Sequence, residues 1–127
     1  MGDHPNVALV RGLMDAFNTM DVETIRAGLA EDVKWHMIGG ETVEGIEALS
    51  QTMMGGGDDF NITGDIHDVV GNDEHVVALV SATAQAGDQT FEYRTAEIVH
   101  VKDGKITERW AFSDDTEAIN RFFGQFA

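Results

Sequence analysis

Glu97, Tyr93 and Asp114 are the residues of this chain whose types and spacing best suit the movement of a proton. In QTFEYRTAEIVHV the side chains alternate as in a strand, so Tyr93 and Glu97 share a face with Thr95, Val99 and Val101. A carboxyl set among apolar neighbours is costly to ionise, and such a group can act as a general acid or donate to a developing oxyanion. Tyr93 would be the accompanying hydrogen-bond donor. A structural role is equally open, with Glu97 bonded to Tyr93, Trp110 or a backbone group. Asp114, in GKITERWAFSDD, stands either at the rim of the same chamber or as a cap, because Ser113, Asp114 and Asp115 precede a helical segment.

Other chemistries find less support in the residues. His36 and His100 fall on the opposite strand face by parity, and no H-x-H or H-E-x-x-H spacing joins them, so no metal site is expected. Cysteine is absent, which excludes disulfides, thiolate metal sites and a cysteine nucleophile. There is neither a G-x-S-x-G elbow nor a glycine-rich phosphate loop between a strand and a helix, and no cofactor is expected.

The elements that must position these groups follow from periodicity. Pro5 starts an amphipathic helix in which Val7, Val10, Leu13, Met14 and Phe17 recur at helical spacing. Asp21 caps a second, shorter helix, DVETIRAGLA. EDVKWHM is a strand with Val33, Trp35 and Met37 on one face and Lys34 and His36 on the other. GGETVEG reads as a turn, and GIEALSQTMM as a third helix stopped by Gly55, Gly56 and Gly57. Four further strands follow, joined at Gly71-Asn72-Asp73, Gly87-Asp88 and Asp103-Gly104, before a last helix, DTEAINRFF. Short junctions make antiparallel neighbours, so the fold class is α+β, a curved antiparallel sheet with helices on one face, in one domain spanning residues 1–127.

Counting back from the turns assigns the faces. Two-residue turns at Gly87-Asp88 and Asp103-Gly104 would set Ala78 opposite Glu97, Ala82 opposite Tyr93, Trp110 opposite Glu97 and Asp114 opposite Tyr93. The helix-covered face then holds Glu97, Tyr93, Trp110, Phe112 and Asp114, with small Ala78 and Ala82 leaving room for a ligand. Alternatively, Trp35 and Trp110 fill that room themselves. The residues expected to line the pocket are Met14, Phe17, Trp35, Met37, Ala78, Ala82, Trp110 and Phe112. The outer face mixes Val77, Leu79, Ala96, Ile98 and Ala111 with Arg94, His100 and Arg109; an apolar centre in a polar surround suits a homodimer interface.

Charge limits the partners. The 127 residues carry 23 acids against 8 bases, a formal balance of −15, and only three lysines, Lys34, Lys102 and Lys105. Phosphate backbones and anionic lipid surfaces are repelled, so neither nucleic acid nor a membrane is an expected partner. No basic start followed by a long apolar run appears, and a cytoplasmic protein is expected.

In sequence order, the strand with DVKWHM, the GGETVEG turn, the third helix and the meander closing on DGKITERW resemble the SnoaL-like polyketide cyclase and ketosteroid-isomerase-like branch of the nuclear transport factor 2 superfamily. The resemblance implies a cone of curved sheet around helices, a ligand pocket inside it and dimers through the sheet's outer face. Ketosteroid isomerases of that superfamily use a tyrosine on the first helix, a base aspartate on the first strand and a protonated aspartate inside the sheet. The matching positions here are Leu13, Met37 and Glu97. The cyclases use an aspartate near the last-strand tryptophan, where this chain has Trp110-Ala111 and its nearest acids are Asp114 and Asp115. The expected function is binding of a small apolar or aromatic molecule, with isomerase, cyclase or dehydratase chemistry by proton transfer on a ketone-type substrate. The alternative is a non-catalytic dimeric ligand-binding or scaffold domain.

Overall fold

The computed structural model describes residues 4–38, 40–55 and 61–124. The chain runs α1 (Pro5–Thr19), α2 (Val22–Ala27), β1 (Leu29–His36), β2 (Thr42–Glu44), α3 (Ile46–Gly55), β3 (Asn61–Gly71), β4 (His75–Ala86), β5 (Gln89–Lys102), β6 (Lys105–Ser113) and α4 (Thr116–Gly124). Pro5 occupies the first turn of α1, and Val7, Val10, Leu13 and Ala16 are its buried stripe. Asp21 caps α2 by accepting from the Thr24 backbone N–H, as its type and position suggest. Gly55 ends α3; Gly56 and Gly57, expected to stop that helix, lie outside the described residues.

All six strands form one sheet in the order β2-β1-β6-β5-β4-β3. Strands β3 to β6 are the antiparallel meander, and β1 returns parallel to β6. Val33, Trp35, Val76, Ala78, Val80, Val99 and Ile106 face inward and pack against Val7, Val10 and Leu13 of α1 and Leu49 of α3. Burial of this apolar face, at roughly 25 cal/mol per Å², is what holds helices and sheet together.

Two expectations fail here. GGETVEG is not only a turn: Thr42–Glu44 pairs antiparallel with β1, setting Val43 opposite Trp35 and using backbone groups that β1 would otherwise leave open. The larger correction is in β6. Lys102 pairs with Lys105 and Val101 with Ile106, as a two-residue turn requires, but His100 pairs with Glu108. Thr107 is therefore an extra residue, a β-bulge, and its hydroxyl donates to the His100 carbonyl at 3.4 Å.

A one-residue slip inverts every later side chain. Glu97 consequently faces Ala111, and Ile98 faces Trp110. Trp110 and Phe112, expected inside, lie on the outer face, and Phe112 is 61% exposed. Arg109, expected outside, turns inward and is only 9% exposed. Asp114 is not on an inner wall: it is exposed, its backbone N–H donates to the Arg94 carbonyl, and its carboxylate accepts from the Arg94 N–H. Asp115, not Asp114, caps α4, accepting from the Ala118 N–H at 3.0 Å.

Candidate functional site

The inward turn of Arg109 brings a guanidinium to Glu97. Arg109 Nη2 lies 2.6 Å and Nε 2.8 Å from the same oxygen, Glu97 Oε1, and Nη1 donates to the His36 carbonyl at 3.0 Å. The two side chains are 10% and 17% exposed. Beneath the guanidinium lies the Trp35 ring, 4.7 Å from ring centroid to Arg109 Cζ, and Phe17 of α1 tilts against Trp35 at 6.1 Å. Four elements thus meet in sequence: α1 supports Trp35 of β1, Trp35 supports Arg109 of β6, and Arg109 holds Glu97 of β5.

This arrangement changes the chemistry expected of Glu97. Glu97 is not a carboxyl set among apolar neighbours alone, because a guanidinium is bonded to it and fixes its orientation. Both bonds from Arg109 fall on Oε1. Among the described residues Oε2 has no hydrogen-bond partner, and it is not sealed from solvent. The carboxyl group is therefore held in one orientation through Oε1, with Oε2 left open.

Tyr93 points to the same face two alternations earlier, with buried Thr95 between them. Its ring stacks on Phe91 at 5.3 Å, and Phe91 stacks on Phe122 of α4 at 5.0 Å. Burial, and secondarily the charge of Glu97, push the phenol above its ordinary 10.0, with Arg109 pulling the other way. Tyr93 thus remains a neutral O–H near physiological pH. Ala78 and Ala82 stand opposite Glu97 and Tyr93, as the Gly87-Asp88 turn predicts.

Other expected lining residues are scattered. Met14 borders a concavity of about 230 Å³ between α1 and β3, which Asn18 and Gly64 also line. Met37 lies past the end of β1 and is 37% exposed. Trp110 lies on the outer face, stacked on His36 at 5.2 Å and edge-on to His100 at 4.8 Å. His36 is fixed there by Thr42 and Glu108, each at 2.7 Å. Among the described residues no group of three or more histidines or carboxylates is arranged to hold a metal, and no helix is long and apolar enough to cross a membrane.

Arg109 is the residue that sequence reasoning missed. Its signal was electrostatic: an inward Glu97 calls for a cation, and Arg94 and Arg109 are the arginines on the strands concerned. Strict alternation placed both outside because nothing local in KITERW announces the bulge.

The SnoaL-like domain family matches residues 10–109, and the chain belongs to that family. Solved structures share the architecture. An LEH-like epoxide hydrolase from M. tuberculosis is 16% identical with a TM-score of 0.81, over 91% of this chain and 87% of that one. A polyketide cyclase candidate from Xanthomonas campestris pv. campestris is 24% identical with a TM-score of 0.81, over 97% of each chain. TerC, co-crystallised with polyporic acid, is 19% identical with a TM-score of 0.83, over 95% of this chain and 99% of that one. At these identities the likeness is one of fold. No curated protein matches the chain in sequence.

Proposed function

We propose that this protein binds a small, largely apolar or aromatic ketone-type molecule on the concave side of the sheet and moves a proton on it, as an isomerase, cyclase or dehydratase would. One observation carries the reading: Arg109 occupies Oε1 of Glu97 and leaves Oε2 without a protein partner among the described residues. In this scheme Oε2 abstracts a proton next to the carbonyl. Tyr93, held neutral, donates to the oxyanion that develops. The SnoaL-like assignment and the ligands and activities named for structures of the same fold support binding of a small molecule. The test is a thermal-stability screen of polyketide-like and steroid-like ketones. A ligand at a hundredfold excess over its Kd should stabilise the native protein by about 2.7 kcal/mol, and Glu97→Gln should fold yet respond differently. A panel without any stabilising ketone would contradict the reading.

The alternative, a non-catalytic dimeric ligand-binding or scaffold domain, has its own support. Trp35 is 8% exposed and fills the space between Phe17 and Arg109, and two open concavities formed by described residues both lie away from Glu97. Ligand-induced stabilisation without turnover would favour it. For either function we propose a two-fold homodimer through the outer sheet face, and a cytoplasmic location suited to the acidic composition.

A further inference from the structure

All three lysines of this acidic chain line one concavity. It measures about 590 Å³ and lies where β1 meets the β5–β6 hairpin, bordered by Asp32, Lys34, Lys102, Asp103, Lys105 and Glu108. The three lysines are exposed, and three features of their pairing stand out. Among the described residues none of their side chains has an ion pair or a hydrogen bond, whereas Arg26 and Arg109 are both paired with carboxylates. Lys102 and Lys105 are directly opposed across the hairpin, an arrangement of like charges that opposes folding. Lys34 has two carboxylates in register, Glu44 on β2 and Glu108 on β6, and Glu108 is already held by His36 at 2.7 Å. Within the concavity's lining, three ammonium groups meet two uncommitted carboxylates, Asp32 and Asp103, with Glu44 opposite Lys34 outside that lining, in a molecule whose overall balance is −15.

We propose that this concavity is a binding site for the phosphate group of a small phosphorylated molecule. An ammonium is a compact charge with three rotatable donors and suits a tetrahedral oxyanion approached from several sides, whereas a planar carboxylate is better matched by arginine. A bound phosphate would also relieve the repulsion between Lys102 and Lys105. The surrounding acidity excludes extended polyanions and restricts the ligand to one that fits within the concavity. Lys34 and Glu108 project from the outer side of the sheet, so the site is separate from Glu97 and independent of the chemistry there.

The probe is pyrophosphate, titrated into the native protein at constant ionic strength and followed by amide chemical shifts and calorimetry. The expected result is a saturable response confined to residues 30–34 and 102–108, with each of Lys34→Gln, Lys102→Gln and Lys105→Gln weakening binding about fivefold. Sodium chloride at the same ionic strength should give no such pattern. The proposal is overturned if pyrophosphate produces no saturable shifts, if the shifts fall elsewhere, or if the triple variant binds it as the parent does. The shift map on the unaltered protein decides the matter even where a variant fails to fold.

Discussion

Removing the guanidinium of Arg109 would leave an acid, 17% exposed, without the cation that holds it. Arg109→Met should therefore cost about 3 kcal/mol in urea unfolding, because a buried charge is left unpaired. Glu97→Gln keeps an acceptor for the same N–H groups and should cost less, and the double variant should fall short of the summed single effects by at least about 1 kcal/mol. Tyr93 offers a second check, since it is the chain's one tyrosine and its ultraviolet titration reports a single group. Its midpoint should lie above 10.0, move down in Glu97→Gln and move up in Arg109→Met. Because the folded value is the higher one, the neutral phenol contributes stability that is complete below the unfolded value and lost as pH rises through the folded one. A midpoint at or below 10.0 would contradict the buried placement. At this scale the inward direction of Glu97 and Tyr93 was legible from alternation alone, while the partner of Glu97 was not. Arg109 is brought in from another strand.

The bulge at Thr107 decides which side of β6 reaches the site. Deleting Thr107 would restore plain alternation, carry Arg109 outward and force Trp110 against Glu97. The expected outcome is loss of the cooperative unfolding transition, whereas Thr107→Ser should leave it intact. Calorimetry of the two variants separates a role for the extra residue from a role for its hydroxyl. Close packing constrains the far end of the sheet as well. A Cβ at Gly71 would meet Val76 Cγ2 at 2.9 Å, the His75 carbonyl at 3.0 Å and Val7 Cγ2 at 3.1 Å, so Gly71→Ala should cost about 2 kcal/mol in denaturant unfolding. The β4–β5 register was readable because Gly87-Asp88 is a tight turn with nothing irregular beyond it. The Asp103-Gly104 turn was equally clear, with φ of 54° and 75°, yet three residues past it the register shifts. The bulge sets Arg109 opposite Val99, within reach of Glu97 on the same face, a tertiary pairing invisible in KITERW itself. Strand β2 escaped notice for a similar reason: three residues carry too little pattern, and only the open edge of β1 makes them a strand.

Across the whole molecule, the outer sheet face has a layered composition. Val70, Val77, Ile98 and Trp110 stand in register across four strands, and Leu79, Ala96 and Phe112 form the adjoining row, which ends in Asp68 on β3. Polar rows flank them, with Ser81 and Arg94 on one side and His75, His100 and Glu108 on the other. With Phe112 and Val70 each 61% exposed, this face has the apolar centre and polar rim of an interface. The predicted two-fold dimer should dissociate in Leu79→Asp with Ile98→Asp, and should be weaker at very low salt, where two chains of −15 repel most strongly. Sedimentation equilibrium showing a 13.8 kDa species under all salt conditions would contradict it. The bulge strengthens this patch beyond the sequence-based expectation by moving Trp110 and Phe112 outward and Arg109 inward. The inner face carries the proposed function, in which Glu97, oriented by Arg109, would act as a base toward a ketone. That role is tested most directly by following deuterium uptake next to the carbonyl of panel ketones in D2O by NMR. The account predicts exchange above the buffer rate for at least one ketone, lowered about a hundredfold or more by Glu97→Gln in protein that remains folded. Exchange at the buffer rate for every ketone that binds, or exchange undiminished in Glu97→Gln, would contradict it.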